Sequence, residues 1–174
     1  MKSWLKTISI LLVAVMVVTV MGCIDDEDAE MGTVELVPGD AVPAFSVLMN
    51  DGREVTSESL KGKTSLIVFF HTGCKDCKQE LPVIQRIYQD YADRINMVCI
   101  SRAEEAADIQ SYWTEQGFTL PYSAQADRTV YHLFAKSGVP RIYVVDKNLV
   151  IRQVFTDDPL ASYEQIEAAV KALQ

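Results

Sequence analysis

The sequence predicts an α/β protein in three layers: a mixed central sheet with helices on both faces and a hairpin extension on its N-terminal side. Three observations predict it. An apolar run at 66–70 breaks at His71-Thr72-Gly73 and gives way to helical spacing, with Leu81, Ile84, Tyr88 and Tyr91 on one face. A second apolar run at 95–101 follows, so strand, helix and strand form a crossover unit. Residues 141–145 and 149–155 then flank a turn at Asp146-Lys147-Asn148, which makes an antiparallel hairpin ahead of a last helix. A βαβ half followed by a ββα half puts parallel and antiparallel pairs in one sheet.

In chain order, Lys2 and Lys6 precede a nearly continuous apolar stretch at 8–21, then Gly22 and Cys23. This length with these flanks reads as a secretory leader over 1–22 rather than a spanning helix. Residues 23–39 are expected to be an acidic tether, with Asp25, Asp26, Glu27, Asp28 and Glu30 solvated. The domain is expected over 40–174. Residues 43–49 are extended, and Asn50-Asp51-Gly52-Arg53 turns the chain back through Glu54 and Val55. Thr56 or Ser57 caps a short helical turn that stops at Gly62. After the 66–70 strand, the long helix should reach about residue 94. Pro82 lacks an N–H and should kink it without ending it. A helix over 106–116 carries Ile109 and Trp113 on one face and stops at Gly117. Residues 118–121 form an extended link. Asp127 is expected to cap a helix over 128–136. Pro159 is expected to open the last helix, with Ile166, Ala169, Val170 and Leu173 as its buried stripe. There is no internal repeat and no second domain.

Removing the leader takes two of the 16 Lys and Arg and none of the 24 Asp and Glu, which leaves 152 residues with a formal charge of −10. That argues against nucleic acid or an anionic lipid surface as partner. The four cysteines have different contexts. Cys99 sits in an apolar strand pattern and is expected to be a buried, structural thiol.

Cys74 and Cys77 form a C-x-x-C at the start of a helix. Unpaired N–H groups and partial positive charge at a helix N-terminus favour a thiolate over a thiol, and the thiolate is the nucleophile. Cys74 should be the exposed attacking sulfur, and Cys77, one turn on, should close the disulfide. Lys75 favours the Cys74 thiolate and Asp76 opposes it. His71, three residues before Cys74, is a candidate to support the thiolate or bind substrate. His132 is expected to be structural.

On Cys74-Lys75-Asp76-Cys77, Pro82 five residues after Cys77, Glu80 three after it and Gly138-Val139-Pro140 before the hairpin, residues 40–172 resemble the thioredoxin superfamily. Within it they resemble the membrane-anchored TlpA/ResA-type thiol-disulfide oxidoreductases. Val20-Met21-Gly22-Cys23 likewise resembles a bacterial lipoprotein box, which implies cleavage after Gly22 and a lipid on Cys23. The acidic run loosely resembles signals that route some lipoproteins to the cell surface. The thioredoxin resemblance implies a three-layer thioredoxin-like fold and a cis bond at Pro140, facing the cysteines and docking substrate backbone beside Val139. It also implies an extracytoplasmic reductant of exported proteins, supplied with electrons by a membrane dithiol carrier, with apocytochrome c the family's commonest target. The chain has no Gly-rich nucleotide loop, and no cofactor is expected.

The chain departs from the family in three places. Gly73 stands where a tryptophan often precedes the first cysteine, and His71 where alanine is often found. Val68 stands where cytoplasmic thioredoxins carry a buried aspartate. With no acid at Val68, Glu80 is the candidate proton acceptor for Cys77, one turn below it on the helix. Two other classes compete with this reading. A peroxiredoxin-type thiol peroxidase would carry threonine at position 71. A copper or zinc module would use the cysteines with His71 or His132, although copper-handling relatives of this fold space their cysteines one residue further apart.

Overall fold

The computed structural model describes residues 34–174. The leader over 1–22, Cys23 and the acidic run lie outside the described residues. Two short strands, β1 (Ser46–Leu48) and β2 (Glu54–Thr56), pair antiparallel as the expected hairpin. A single 3-10 turn, Glu58–Leu60, leads into the main sheet.

That sheet has five strands in the order β5-β4-β3-β6-β7. These are β3 (Ser65–Phe70), β4 (Asn96–Ser101), β5 (Tyr122–Ser123), β6 (Arg141–Val145) and β7 (Ile151–Phe155). β3 pairs parallel with β4, which pairs parallel with β5; β6 and β7 run antiparallel on the other side. Every residue of β3 is buried, which explains its unbroken apolar run. Successive side chains point to opposite faces. Phe70 meets Trp113 at 4.9 Å between ring centroids, whereas Phe69 meets Tyr131, Phe134 and Tyr143.

α1 (Lys75–Tyr91) runs through Pro82 without interruption. It packs on α4 (Tyr163–Lys171), where Tyr91 donates to Glu167 and Tyr163 to Asp90. On its other flank Gln85 accepts from the Thr119 and Leu120 N–H groups beyond α2 (Ala106–Gln116). Gly117, at φ 66°, ends α2 as expected.

Three expectations are corrected. The helix expected over 128–136 is only α3 (Thr129–His132). Past His132 the Leu133 and Phe134 N–H groups reach back only three residues, to the Val130 and Tyr131 carbonyls, so the chain tightens and leaves the helix; the Phe134 carbonyl accepts from the Leu36 N–H and the Tyr143 hydroxyl. Pro159 does not open the last helix. The Asp158–Pro159 bond is cis, and α4 begins after Ser162, which forms a reciprocal capping box with Gln165. The link at 118–121 leads, as a link should, into a two-residue edge strand, β5. Residues 34–39, within the segment expected as a tether, lie along the domain. Glu35 pairs with Arg141, and Gly39 N–H donates to the Ile151 carbonyl.

Candidate active site

Cys74 is the N-cap of α1, in an extended conformation at φ −80° and ψ 129°. The Gly73 before it and the Lys75 after it are exposed, so the sulfur stands at the mouth of the helix, half-buried. Its Sγ donates to the Val139 carbonyl at 3.3 Å. The Val139–Pro140 bond is cis. The cysteine pair and the segment before the hairpin, 65 residues apart, therefore meet face to face.

Cys77 is fully buried one turn along α1, and both thiols are free. Burial pushes the Cys77 thiol far up; a hydrogen bond from the His71 backbone N–H and, last, the Arg102 charge act against it. Cys99 is also free and fully buried, as expected of a structural thiol, and burial alone raises it.

Glu80 is 2% exposed. Burial pushes its carboxyl up to about 7, against the opposing effect of the Ala161 backbone N–H. Its Oε1 has no hydrogen-bond partner among the described residues. Val68 is buried on β3, so no carboxylate stands at that position.

The imidazole of His71 is turned toward its own loop. Nδ1 accepts from the Gly73 N–H at 2.9 Å, and the His71 carbonyl accepts from the Cys74 N–H at 3.0 Å. An Nδ1 that accepts a hydrogen bond places the proton of the neutral ring on Nε2. His132 lies beside Tyr131 at the end of α3. Among the described residues, no group of three or more His, Cys, Asp and Glu side chains could hold a metal ion.

Sequence reasoning missed two residues here. Glu104, in the loop after β4, is buried and accepts from both the backbone N–H and the hydroxyl of Thr72. Tyr131, 1% exposed, donates its hydroxyl to the Gly138 carbonyl at 2.7 Å and so braces the segment that carries Val139. No local pattern marks either one. Their partners lie 32 and 7 residues away, and Glu104 sits in a run, Ser101-Arg102-Ala103-Glu104-Glu105, that reads as a solvated loop.

A three-layer fold with a C-x-x-C at the head of α1, opposite a cis-proline segment, defines a thioredoxin-fold thiol-disulfide oxidoreductase. The family model described as AhpC/TSA family matches residues 38–154, and the chain belongs to that family. It is similar to the thiol-disulfide oxidoreductase ResA of Bacillus anthracis, 22% identical over 137 residues that cover 78% of each chain. It is also similar to the thiol-disulfide oxidoreductase YkuV of Bacillus subtilis, 32% identical over 105 residues, which are 57% of this chain and 71% of that one. Among solved structures, a thiol:disulfide interchange protein of the thioredoxin family from Chlorobium tepidum superposes with a TM-score of 0.67 at 25% identity. That match covers 80% of this chain and 99% of the other.

Proposed function

We propose that this oxidoreductase is an extracytoplasmic, membrane-attached reductant of disulfides in exported proteins. The observation that carries the chemistry is the Cys74 sulfur, 3.3 Å from the Val139 carbonyl at the mouth of α1, with Cys77 buried beneath it. Only one sulfur is presented to a partner, and the other is kept for the second step.

The Cys74 thiolate attacks one sulfur of the target disulfide. The target's S–S bond breaks, and its other sulfur leaves with the electron pair. Cys77 then gives its proton to the Glu80 carboxylate and attacks the Cys74 sulfur. A Cys74–Cys77 bond forms, and the remaining target sulfur leaves as a thiolate that takes up a proton. Two electrons pass from the dithiol to the target. A Glu80 carboxyl near 7 is well matched to this task at neutral pH, because it is substantially ionised and able to accept. The Val139 backbone and Gly73 line the approach to Cys74, where they would hold the target strand. His71 would act from its loop.

The location rests on the sequence. The leader over 1–22 and a lipid on Cys23 would tether the domain to a membrane, on the periplasmic side or at the cell surface. A dithiol carrier in that membrane would return Cys74 and Cys77 to the reduced state. Disulfides of exported polypeptides, apocytochrome c among them, are the proposed substrates.

The test is the Cys74–Cys77 reduction potential of the full chain, equilibrated in thiol buffers. A value well below about −200 mV supports a reductant, and one near about −120 mV would mark an oxidant and overturn the direction. Peroxide consumption through Cys74 without disulfide exchange would replace the reading with a thiol peroxidase.

A further inference from the structure

Thr72 and Gly73 lead directly into Cys74, and both of their backbone N–H groups are taken by side chains. Thr72 N–H donates to Glu104 Oε2 at 2.9 Å, and the Thr72 hydroxyl donates to Glu104 Oε1. Gly73 N–H donates to His71 Nδ1, and the same Oε1 of Glu104 lies 3.9 Å from that nitrogen. The Glu104 side chain is only 5% exposed. Its own backbone N–H is fixed at 2.7 Å to the Gln125 carbonyl, and the Gln125 N–H is held in turn by the Ser101 hydroxyl at the end of β4. A buried carboxylate with two donors on it, anchored to a different strand, is a rigid support.

We propose that Glu104 is the positioning residue of the attacking thiol: from the loop after β4 it fixes Thr72 through both its backbone N–H and its hydroxyl, so that the segment carrying Cys74 is held across the parallel β3–β4 pair. The inference rests on Cys74 being the nucleophile. A Cβ at Gly73 would meet the His71 ring at 3.1 Å, so the imidazole and the bare Gly73 fit one another. Hydrogen bonds to a charged acceptor are shorter and stronger than neutral ones, which suits a carboxylate here better than an amide. Glu104 touches neither sulfur in this arrangement. Its effect on chemistry passes through the loop, and it should be felt more in the first step of exchange, where Cys74 is the attacking sulfur, than in the second, where Cys74 is the sulfur attacked by Cys77.

The two steps can be timed separately. The reduced full chain is mixed with an aromatic disulfide that releases one coloured thiolate when Cys74 attacks and a second when Cys77 resolves the mixed disulfide. Glu104→Gln keeps the shape and removes the charge, and Thr72→Val removes the hydroxyl and keeps the carboxylate. Both variants should slow the first phase, Glu104→Gln by about tenfold, the size expected for a lost hydrogen bond to a charged group. The second phase should stay within about twofold of the parent in both. In amide hydrogen exchange, Glu104→Gln should lose protection at Thr72 while the strand amides of β3 keep theirs. A first phase at the parent rate overturns the proposal, and so does equal slowing of both phases, which would mark a general loss of structure. Cys74→Ser separates the two readings. If it still yields the first phase, the assignment of the nucleophile fails, whereas if it abolishes that phase and Glu104→Gln is unchanged, only the role of Glu104 fails.

Discussion

Glu80→Gln tests the buried carboxyl beneath Cys77 by two independent routes. The unfolded chain releases this proton around pH 4.5, and the folded protein holds it to about pH 7 because burial disfavours the ionised form. Between those values the folded state binds more protons than the unfolded one, so the group's contribution to stability falls as pH rises. A separation from 4.5 to about 7 corresponds to about 3 kcal/mol, most of which is lost between pH 5 and 8. Glutamine has no such titration. Urea unfolding of reduced wild type and Glu80→Gln at pH 5 and at pH 8 should therefore show the variant gaining about 2–3 kcal/mol relative to wild type as pH rises. Titration of Cys77 and of the surface carboxylates is common to both proteins and cancels in the difference. If Glu80 is the acceptor proposed for the Cys77 proton, the same variant should slow resolution of the Cys74 mixed disulfide. A stability difference that is the same at both pH values would refute the raised carboxyl. An unchanged pH profile of resolution would remove Glu80 from the mechanism even if the stability result held.

Cys77→Ser should trap a mixed disulfide between Cys74 and a target peptide, visible by non-reducing electrophoresis; free turnover in this variant would refute Cys77 as the resolving thiol. Gly138→Ala should destabilise by about 1–2 kcal/mol in urea unfolding, because Gly138 sits at φ +82° and a Cβ would meet the Asp157 carboxylate at 3.2 Å. Tyr131→Phe removes the hydroxyl held by the Gly138 carbonyl, and should cost about 1 kcal/mol in the same assay. It should also slow exchange at Cys74, and an unaltered exchange rate would show that the brace does not reach Val139.

Much of the scaffold could be read from apolar spacing alone, because β3, β4, α1, α2 and the β6–β7 hairpin bury their faces against one core. The failures have local physical causes. The spacing of Val130, Tyr131, Phe134 and Ala135 suits a helix, and all four are buried, yet after His132 the Leu133 and Phe134 bonds tighten to three-residue reach and the Phe134 carbonyl turns to Leu36 and Tyr143. Propensity says nothing about such distant partners. At the last helix two start signals compete in the sequence: Ser162 and Gln165 stand at capping-box spacing, three residues beyond Pro159, and the capping box wins. β5 has two residues, too few for any periodicity to show. Of the expected site, Cys74, Cys77 and Glu80 stand out through one dense motif, and Pro140 through its resemblance to a family pattern. Glu104 does not, because an acidic residue in a polar loop is marked out only by what folds onto it.

The sheet order explains why so scattered a set of residues meets at one edge. β3 and β4 are parallel, so Phe70 and Ser101 end side by side and hand the chain to the loops carrying Thr72 and Glu104. β6 is antiparallel to β3 and begins at that same edge, with Arg141 opposite Phe69, which brings Gly138, Val139 and Pro140 over the head of α1. β7 runs back to the edge, with Phe155 opposite Ile142, and releases the segment whose Ala161 N–H faces Glu80. A parallel pair flanked by an antiparallel hairpin thus gathers four connections at one end of the molecule. An all-parallel sheet would place the start of β6 at the far end, and the Val139 carbonyl could not reach Cys74. The mixed topology is therefore what sets the Val139 carbonyl against the Cys74 sulfur.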